Sequence, residues 1–236
     1  MSKITTLFFD LDGTLLPMDQ DEFVEGYFKY LAKKMVPLGY DPKELIAAVW
    51  AGTKSMVLND GSRSNEEAFW EKFDSIFPET GKRDREKFDE FYATDFDKAI
   101  DYCQPSAYVP EMIARLKEKG YRIVLATNPI FPKIATMKRI AWAGLKPEDF
   151  EFVTYYENFN YAKPNPKYYE ELCQRIGVKP EEVLMAGNDA EEDLIAEKTG
   201  MKVFLVSDCI LNKKNIDVAN YPQGSFPEYE QYLATL

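Results

Sequence analysis

The sequence predicts an α/β protein: a parallel-sheet core whose chain is interrupted, after its first strand, by an all-helical insertion. Three observations carry this. An apolar, β-prone run, Ile4 to Phe9, opens the chain. Further short apolar runs at 121–126, 150–155, 183–186 and 202–206 alternate with helical patterns. Between residue 17 and about 100 no strand pattern occurs, while aromatic and charged residues recur at helical spacing. Strands alternating with helices imply a parallel sheet with right-handed crossovers.

Taken in order, the first strand stops on Asp10-Leu11-Asp12-Gly13-Thr14. Phe23, Tyr27, Tyr30 and Leu31 share one helix face. A second helix starts at Asp41 as N-cap, with Pro42 at its first position and Glu44 three residues past the cap. Its apolar face holds Leu45, Ala48, Val49 and Val57. Asn59 to Ser62 is a turn, and Ser64 with Glu67 forms a capping box for a helix carrying Phe69, Trp70 and Phe73. A last inserted helix is expected from Asp84 to Ile100.

The core then resumes. Residues 110–118 form an amphipathic helix with Gly120 at its C-terminal cap, and the strand at 121–126 ends on Thr127-Asn128-Pro129. A helix opens at Pro132 and runs to about Ala143. The third strand (150–155) leads to Lys163-Pro164-Asn165-Pro166, with Asn165 and Pro166 as cap and first turn of a helix ended by Gly177. The strand at 183–186 runs into Gly187-Asn188-Asp189-Ala190-Glu191-Glu192-Asp193 and a helix to Lys198. After the fifth strand the chain is turn-rich, with a short helix near 227–233. The resulting division is a core of 1–16 and 101–236 with a helical insertion of 17–100.

Composition excludes several functions. The chain of 236 residues is 45% hydrophobic and 29% charged, ordinary for a soluble globular protein. No apolar run reaches the roughly 20 residues of a membrane helix, and the first strand begins too early for a signal peptide. A cytoplasmic protein is therefore expected. Cys103, Cys173 and Cys209 are odd in number and widely spaced, so they make neither a disulfide framework nor a zinc pair. The absence of histidine removes His-based triads and leaves acid–base work to carboxylates, Lys, Tyr or Cys. A net charge of −11 argues against a nucleic-acid polymer as partner, but not against a small phosphorylated substrate.

Parallel strands put their carboxyl ends on one side of the sheet. Asp10 and Asp12, Thr127 and Asn128, Lys163, and Asp189 with Asp193 all follow strands and therefore converge. Clustered carboxylates without histidine or thiolate are the ligands of a hard cation, and Mg²⁺ fits best.

This set resembles the haloacid dehalogenase-like superfamily of phosphohydrolases, across the whole chain. Its first motif matches Asp10 to Thr14, its second Thr127, its third Lys163, and its fourth, Gly-Asp-x-x-x-Asp, matches Gly187 to Asp193 once Asn188 is allowed between glycine and acid. The insertion sits where the family carries its C1 cap. The resemblance implies a Rossmann-like core and a Mg²⁺-dependent phosphatase acting on a small soluble phosphomonoester: a sugar phosphate, phosphoglycolate or a nucleotide. Asp10 is then the nucleophile that forms an aspartyl-phosphate, and Asp12 the general acid and later the base. The metal lies among Asp10, the backbone carbonyl of Asp12 and Asp189, unless a water held by Asn188 takes the place of Asp189. Thr127 Oγ1 and the Asn128 backbone N–H hold phosphoryl oxygens, Lys163 neutralises charge, and Asp193 orients the metal shell or Lys163. In the cap, Lys54, Asn59, Arg63 and the loop 17–20 are the candidates for touching the leaving group. Asp12 disfavours dehalogenation, which needs no acid there. A phosphoglucomutase-like phosphotransferase and a non-catalytic binding or regulatory module are the alternatives. A monomer or a homodimer is expected.

Overall fold

The computed structural model describes residues 3–236. Six strands form one parallel sheet in the order β3-β2-β1-β4-β5-β6. They are β1 (Thr6–Phe9), β2 (Arg122–Leu125), β3 (Phe152–Val153), β4 (Val183–Gly187), β5 (Lys202–Val206) and β6 (Gln223–Gly224). The helices are α1 (Gln20–Met35), α2 (Pro42–Val57), α3 (Asn65–Ile76), α4 (Thr80–Arg83), α5 (Arg85–Ala93), α6 (Tyr108–Glu118), α7 (Lys133–Trp142), α8 (Pro166–Ile176) and α9 (Phe226–Leu233).

The alternation of β1 places its side chains on both faces of the sheet. Leu7 and Phe9 join one apolar cluster, where Phe9 meets Tyr229 of α9 edge-on at 5.4 Å. Phe8 joins the other, with Tyr168 and Leu172 of α8. All three are fully buried, a burial that contributes on the order of 2 kcal/mol per side chain. The register pairs Phe9 with Leu125 on one side and with Ala186 on the other. The ends of β1, β2 and β4 are therefore level, and their outgoing residues share one rim. Strand order reverses about β1 and β4, where open α/β sheets leave a crevice for ligands.

Between β1 and β2 the regular elements are helices, and two of their caps are those expected from the sequence. Asp41 Oδ1 accepts from Lys43 and Glu44 N–H, and Ser64 and Glu67 complete a capping box. Phe73 and Phe88 meet at 5.2 Å, and Phe96 stacks on Trp142 of α7 at 5.1 Å, so the helical segment shares its core with the sheet. The two connections to it run side by side: Gln104 N–H donates to Pro17 O at 2.7 Å, and Met18 bridges Cys103.

Three expectations need correction. The helix expected over 84–100 is α5 followed by 3-10 turns over Asp95–Tyr102. It breaks at Thr94, whose hydroxyl donates back to Glu90 O at 2.7 Å and competes with the helical ladder. The helix expected after β4 is a series of turns ending in a 3-10 segment, Leu194–Thr199. There Asp189 Oδ1 accepts from the N–H of Glu191 and Glu192, and Asp193 Oδ2 accepts from Asp189 N–H. The sixth strand, β6, is two residues long, too short for any periodicity, and exists only because the edge of β5 supplies a partner. Among the described residues no helix is long and apolar enough to cross a membrane.

Candidate active site

The site is built on the level rim of β1, β2 and β4. Asp10 follows β1 directly, its N–H donating to Ala186 O at 2.9 Å, and its carboxylate turns into a site where it is only 7% exposed. Lys163 Nζ, completely buried, donates to Asp10 Oδ1 at 2.9 Å and to Asp193 Oδ1 at 2.6 Å. A lysine so enclosed is tolerable only because two carboxylates face it. Burial alone would depress Lys163, but Asp10 and Asp193 outweigh it and hold the ammonium well above its ordinary value. Asp193 thus touches Lys163 itself, and its other oxygen fixes the Asp189 backbone.

The turn after β1 is held from the opposite side. Gly13 has φ +79°, a conformation glycine adopts without strain. A Cβ there would lie 2.3 Å from Asn188 Nδ2. Asn188 accepts from Thr14 Oγ1 at 2.9 Å and donates to Cys209 O at 2.7 Å. Its amide therefore braces the loop, while the half-buried Asp189 lines the cavity beside it. Gly187 is equally constrained, since a Cβ would meet Asp193 Oδ2 at 2.1 Å.

Asp12 reveals a partner the sequence did not announce. Its Oδ2 accepts from Nη1 of Arg139, a fully buried arginine of α7. Arg139 lies over the Phe131 ring at 4.3 Å and donates to Thr136 Oγ1 at 3.3 Å. Asp12 Oδ1 is buried and bonded to no protein group among the described residues. Nothing about one arginine on an amphipathic helix marks it out; the only available signal was its position on a face otherwise made of Ala135, Thr136 and Ile140, all buried.

Thr127 and Asn128 complete the rim. The Thr127 carbonyl accepts from Thr154 Oγ1 at 2.6 Å and from Tyr168 OH at 2.9 Å, which fixes the strand end. Asn128 Oδ1 accepts from Lys163 N–H at 3.2 Å, and Asn128 Nδ2 donates to Glu192 Oε2 at 2.9 Å. Glu192 was not anticipated; the motif assigns its position no role. Burial raises its carboxyl to about 8, against the pull of Lys163. Burial likewise raises Asp10 to about 7, opposed by Lys163 and reinforced by Asp193 and Asp12. Asp12 is raised by burial and pulled down by Arg139, then by Lys163.

The three cap candidates do not reach the cavity. Lys54 lies on the exposed side of α2, one position from the cavity-lining Thr53, about 100° round the helix. Arg63 pairs with Glu71 at the surface. Asn59 is buried, but it donates to Arg63 O and to Asn65 Oδ1, both at 3.0 Å, and so supports the turn before α3. Of the loop 17–20, Gln20 lines the cavity.

Among the described residues no three His, Cys, Asp or Glu side chains stand together as a complete metal cage. At the rim end of the cavity the lining includes Asp10, Asp12, Asp189, Glu192 and Asp193, all oxygen-bearing side chains. Such a partial, all-oxygen set suits a hard cation that keeps several waters and takes phosphate oxygens, as Mg²⁺ does. It does not suit zinc.

Known proteins bear on this arrangement. The family model for haloacid dehalogenase-like hydrolases matches residues 4–198. Pyrophosphatase PpaX of Halalkalibacterium halodurans is 25% identical over 211 residues, covering 86% of this chain and 84% of that protein. A predicted phosphoglycolate phosphatase from Haemophilus somnus superposes with a TM-score of 0.62 at 16% identity, covering 98% of this chain and 99% of the other. The putative hydrolase YfnB of Bacillus subtilis, solved bound to magnesium, superposes with a TM-score of 0.61 at 16% identity, covering 99% and 100%. These structural likenesses speak for the fold, and the family match runs through every strand-end residue of the rim: the chain belongs to the haloacid dehalogenase-like hydrolases.

Proposed function

We propose that this protein is a phosphatase that hydrolyses a small phosphomonoester through an aspartyl-phosphate on Asp10. The observation that carries this is the contact of Lys163 with Asp10 at 2.9 Å, two residues before an aspartate held by its own arginine. An Asp10 oxygen attacks phosphorus and the bond to the leaving oxygen breaks. Asp12 Oδ1, without a protein partner among the described residues, delivers a proton to that oxygen while Oδ2 stays on Arg139. Water then attacks the phosphoryl group, Asp12 accepts its proton, and Asp10 is released with inorganic phosphate. Lys163 faces the charge that develops on the phosphoryl oxygens, and Thr127 Oγ1 with the Asn128 N–H holds those oxygens.

Asp10, the Asp12 carbonyl and Asp189 would hold Mg²⁺. The bonds of Asn188 to Thr14 and Cys209 support Asp189 rather than a water on Asn188 as the donor. When bound, the ion lets a carboxylate approach a phosphate dianion that would otherwise repel it. The helices of 17–100 act as a cap over the core of 1–16 and 101–236.

The test is release of phosphate from p-nitrophenyl phosphate with and without Mg²⁺. Activity should require the ion and disappear in Asp10→Asn, and Asp12→Asn should accumulate phosphoenzyme. Turnover that persists in Asp10→Asn refutes the mechanism.

A further inference from the structure

Resting on the phosphatase reading, we infer that the substrate's leaving group is a neutral, largely apolar group one or two rings in size. A second phosphate, a carboxylate or a polyol does not match what surrounds it. The cavity beneath the cap is continuous with Asp10, Asp12 and Thr127 and measures about 670 Å³. That is far more than a phosphoryl group fills, and within the range of sites that enclose whole organic ligands. Its roof is drawn from separate elements that all present carbon: Phe28 of α1, Val49 and Trp50 of α2, Phe69 and Trp70 of α3, and Phe131 before α7.

Charge points the same way. Among the described residues, the cations lining the cavity are Lys213 and Lys214. Both are largely exposed, and they pair with Asp21 and Glu191 at 3.0 and 2.5 Å. Lys163 is committed to Asp10 and Asp193, and Arg139 to Asp12. Acids are plentiful instead, with Asp21, Asp189, Glu191 and Glu192 all on the lining. An anionic leaving group would meet mostly acids and ring faces, and the two ammonium groups on the lining are already paired with carboxylates. In the aromatic part of the lining the Tyr27 and Tyr92 hydroxyls bond each other at 2.8 Å, which leaves one O–H of the pair for a polyol. An apolar group displaces water from the roof and gains transfer free energy. Trp50 lines the cavity, is 50% exposed and meets Phe28 at 5.5 Å.

The experiment compares kcat/KM for 2-phenylethyl phosphate, glycerol 1-phosphate and inorganic pyrophosphate on the wild-type enzyme with Mg²⁺. The two esters are both alkyl phosphates, so leaving-group acidity does not drive the comparison. The aryl-bearing ester should exceed glycerol 1-phosphate by 100-fold or more, and pyrophosphate should be no better than glycerol 1-phosphate. Trp50→Ala should narrow the ester ratio about tenfold. Glycerol 1-phosphate or pyrophosphate turned over as well as 2-phenylethyl phosphate overturns the inference while leaving the phosphatase reading intact. Absence of turnover with every ester, p-nitrophenyl phosphate included, overturns both.

Discussion

Arg139 and Asp12 stand 127 residues apart in the chain and form an ion pair in which the guanidinium is completely buried. Asp12 keeps one oxygen on Arg139, and its other oxygen, without a protein partner among the described residues, is the one the proposed mechanism uses for proton transfer. Removing one partner of a buried pair leaves the other charge uncompensated. Arg139→Met should therefore lower stability by about 3 kcal/mol in urea unfolding. It should also reduce kcat by about 100-fold, within the span of acid–base contributions. Because Arg139 is the foremost influence holding the Asp12 carboxyl down, its loss raises that carboxyl further. For the second step, where Asp12 must be ionised to accept the water's proton, the rising acidic limb of the kcat profile should move to higher pH. A structural role alone would leave that limb where it was.

Asn65 ties the helical segment to the rim. It is completely buried at the start of α3, and its Nδ2 donates to Pro129 O at 3.1 Å and Tyr161 O at 3.2 Å. Those carbonyls belong to the loops that carry Asn128 and Lys163. Asn65→Ala removes these bonds and strands the Asn59 amide that donates to Oδ1 at 3.0 Å. A loss of about 3 kcal/mol follows from three bonds at roughly 1 kcal/mol each. Thermal unfolding checks the magnitude, and KM for the preferred ester should rise with it. Unchanged stability would show that the bonds are replaced by water.

Glu230 gives a pH dependence of known sign. Arg115, the largest influence, holds its carboxyl below the usual 4.5, with burial opposing and the Tyr108 hydroxyl adding to it. A folded-state value below the unfolded one means this stability is fully present above pH 4.5 and is lost as pH falls through the lower, folded value. The pair clamps α9 to α6 at 2.8 Å but is partly open to solvent, so its worth is about 1 kcal/mol or less. Glu230→Gln should be less stable than wild type by that amount at pH 7. The difference should close below pH 4, as followed by urea titration at both pH values.

Much of this could be read from the chain. Capping is local chemistry: Asp41, Ser64 with Glu67, and Asn165 bond to N–H groups two or three residues away, so spacing predicts them. Strand ends are legible for the same reason, because β1, β2 and β4 are apolar runs that stop on polar residues. Thr94 ending α5 and the turns of 189–193 were not legible. There a side chain competes with the backbone for the same hydrogen bonds, and periodicity does not register the competition. Lys54 falls outside the cavity lining by a single position, since one residue on a helix turns the side chain about 100° from the direction of Thr53.

By itself the sequence determined the parallel sheet, the helical interruption, and the family, because these depend on the order of short motifs along the chain. Asp10, Asp12, Thr127, Lys163 and Asp189 were identifiable since each follows a strand, and strand polarity puts every such residue on one rim. Only the tertiary structure decided what faces them. Arg139 on Asp12, Asp193 on Lys163, Glu192 on Asn128, and the aromatic roof drawn from α1, α2 and α3 are contacts between segments far apart in sequence. No local rule predicts which face of a helix meets which strand end; packing does, by burying the apolar stripe and bringing along whatever charge lies within its reach.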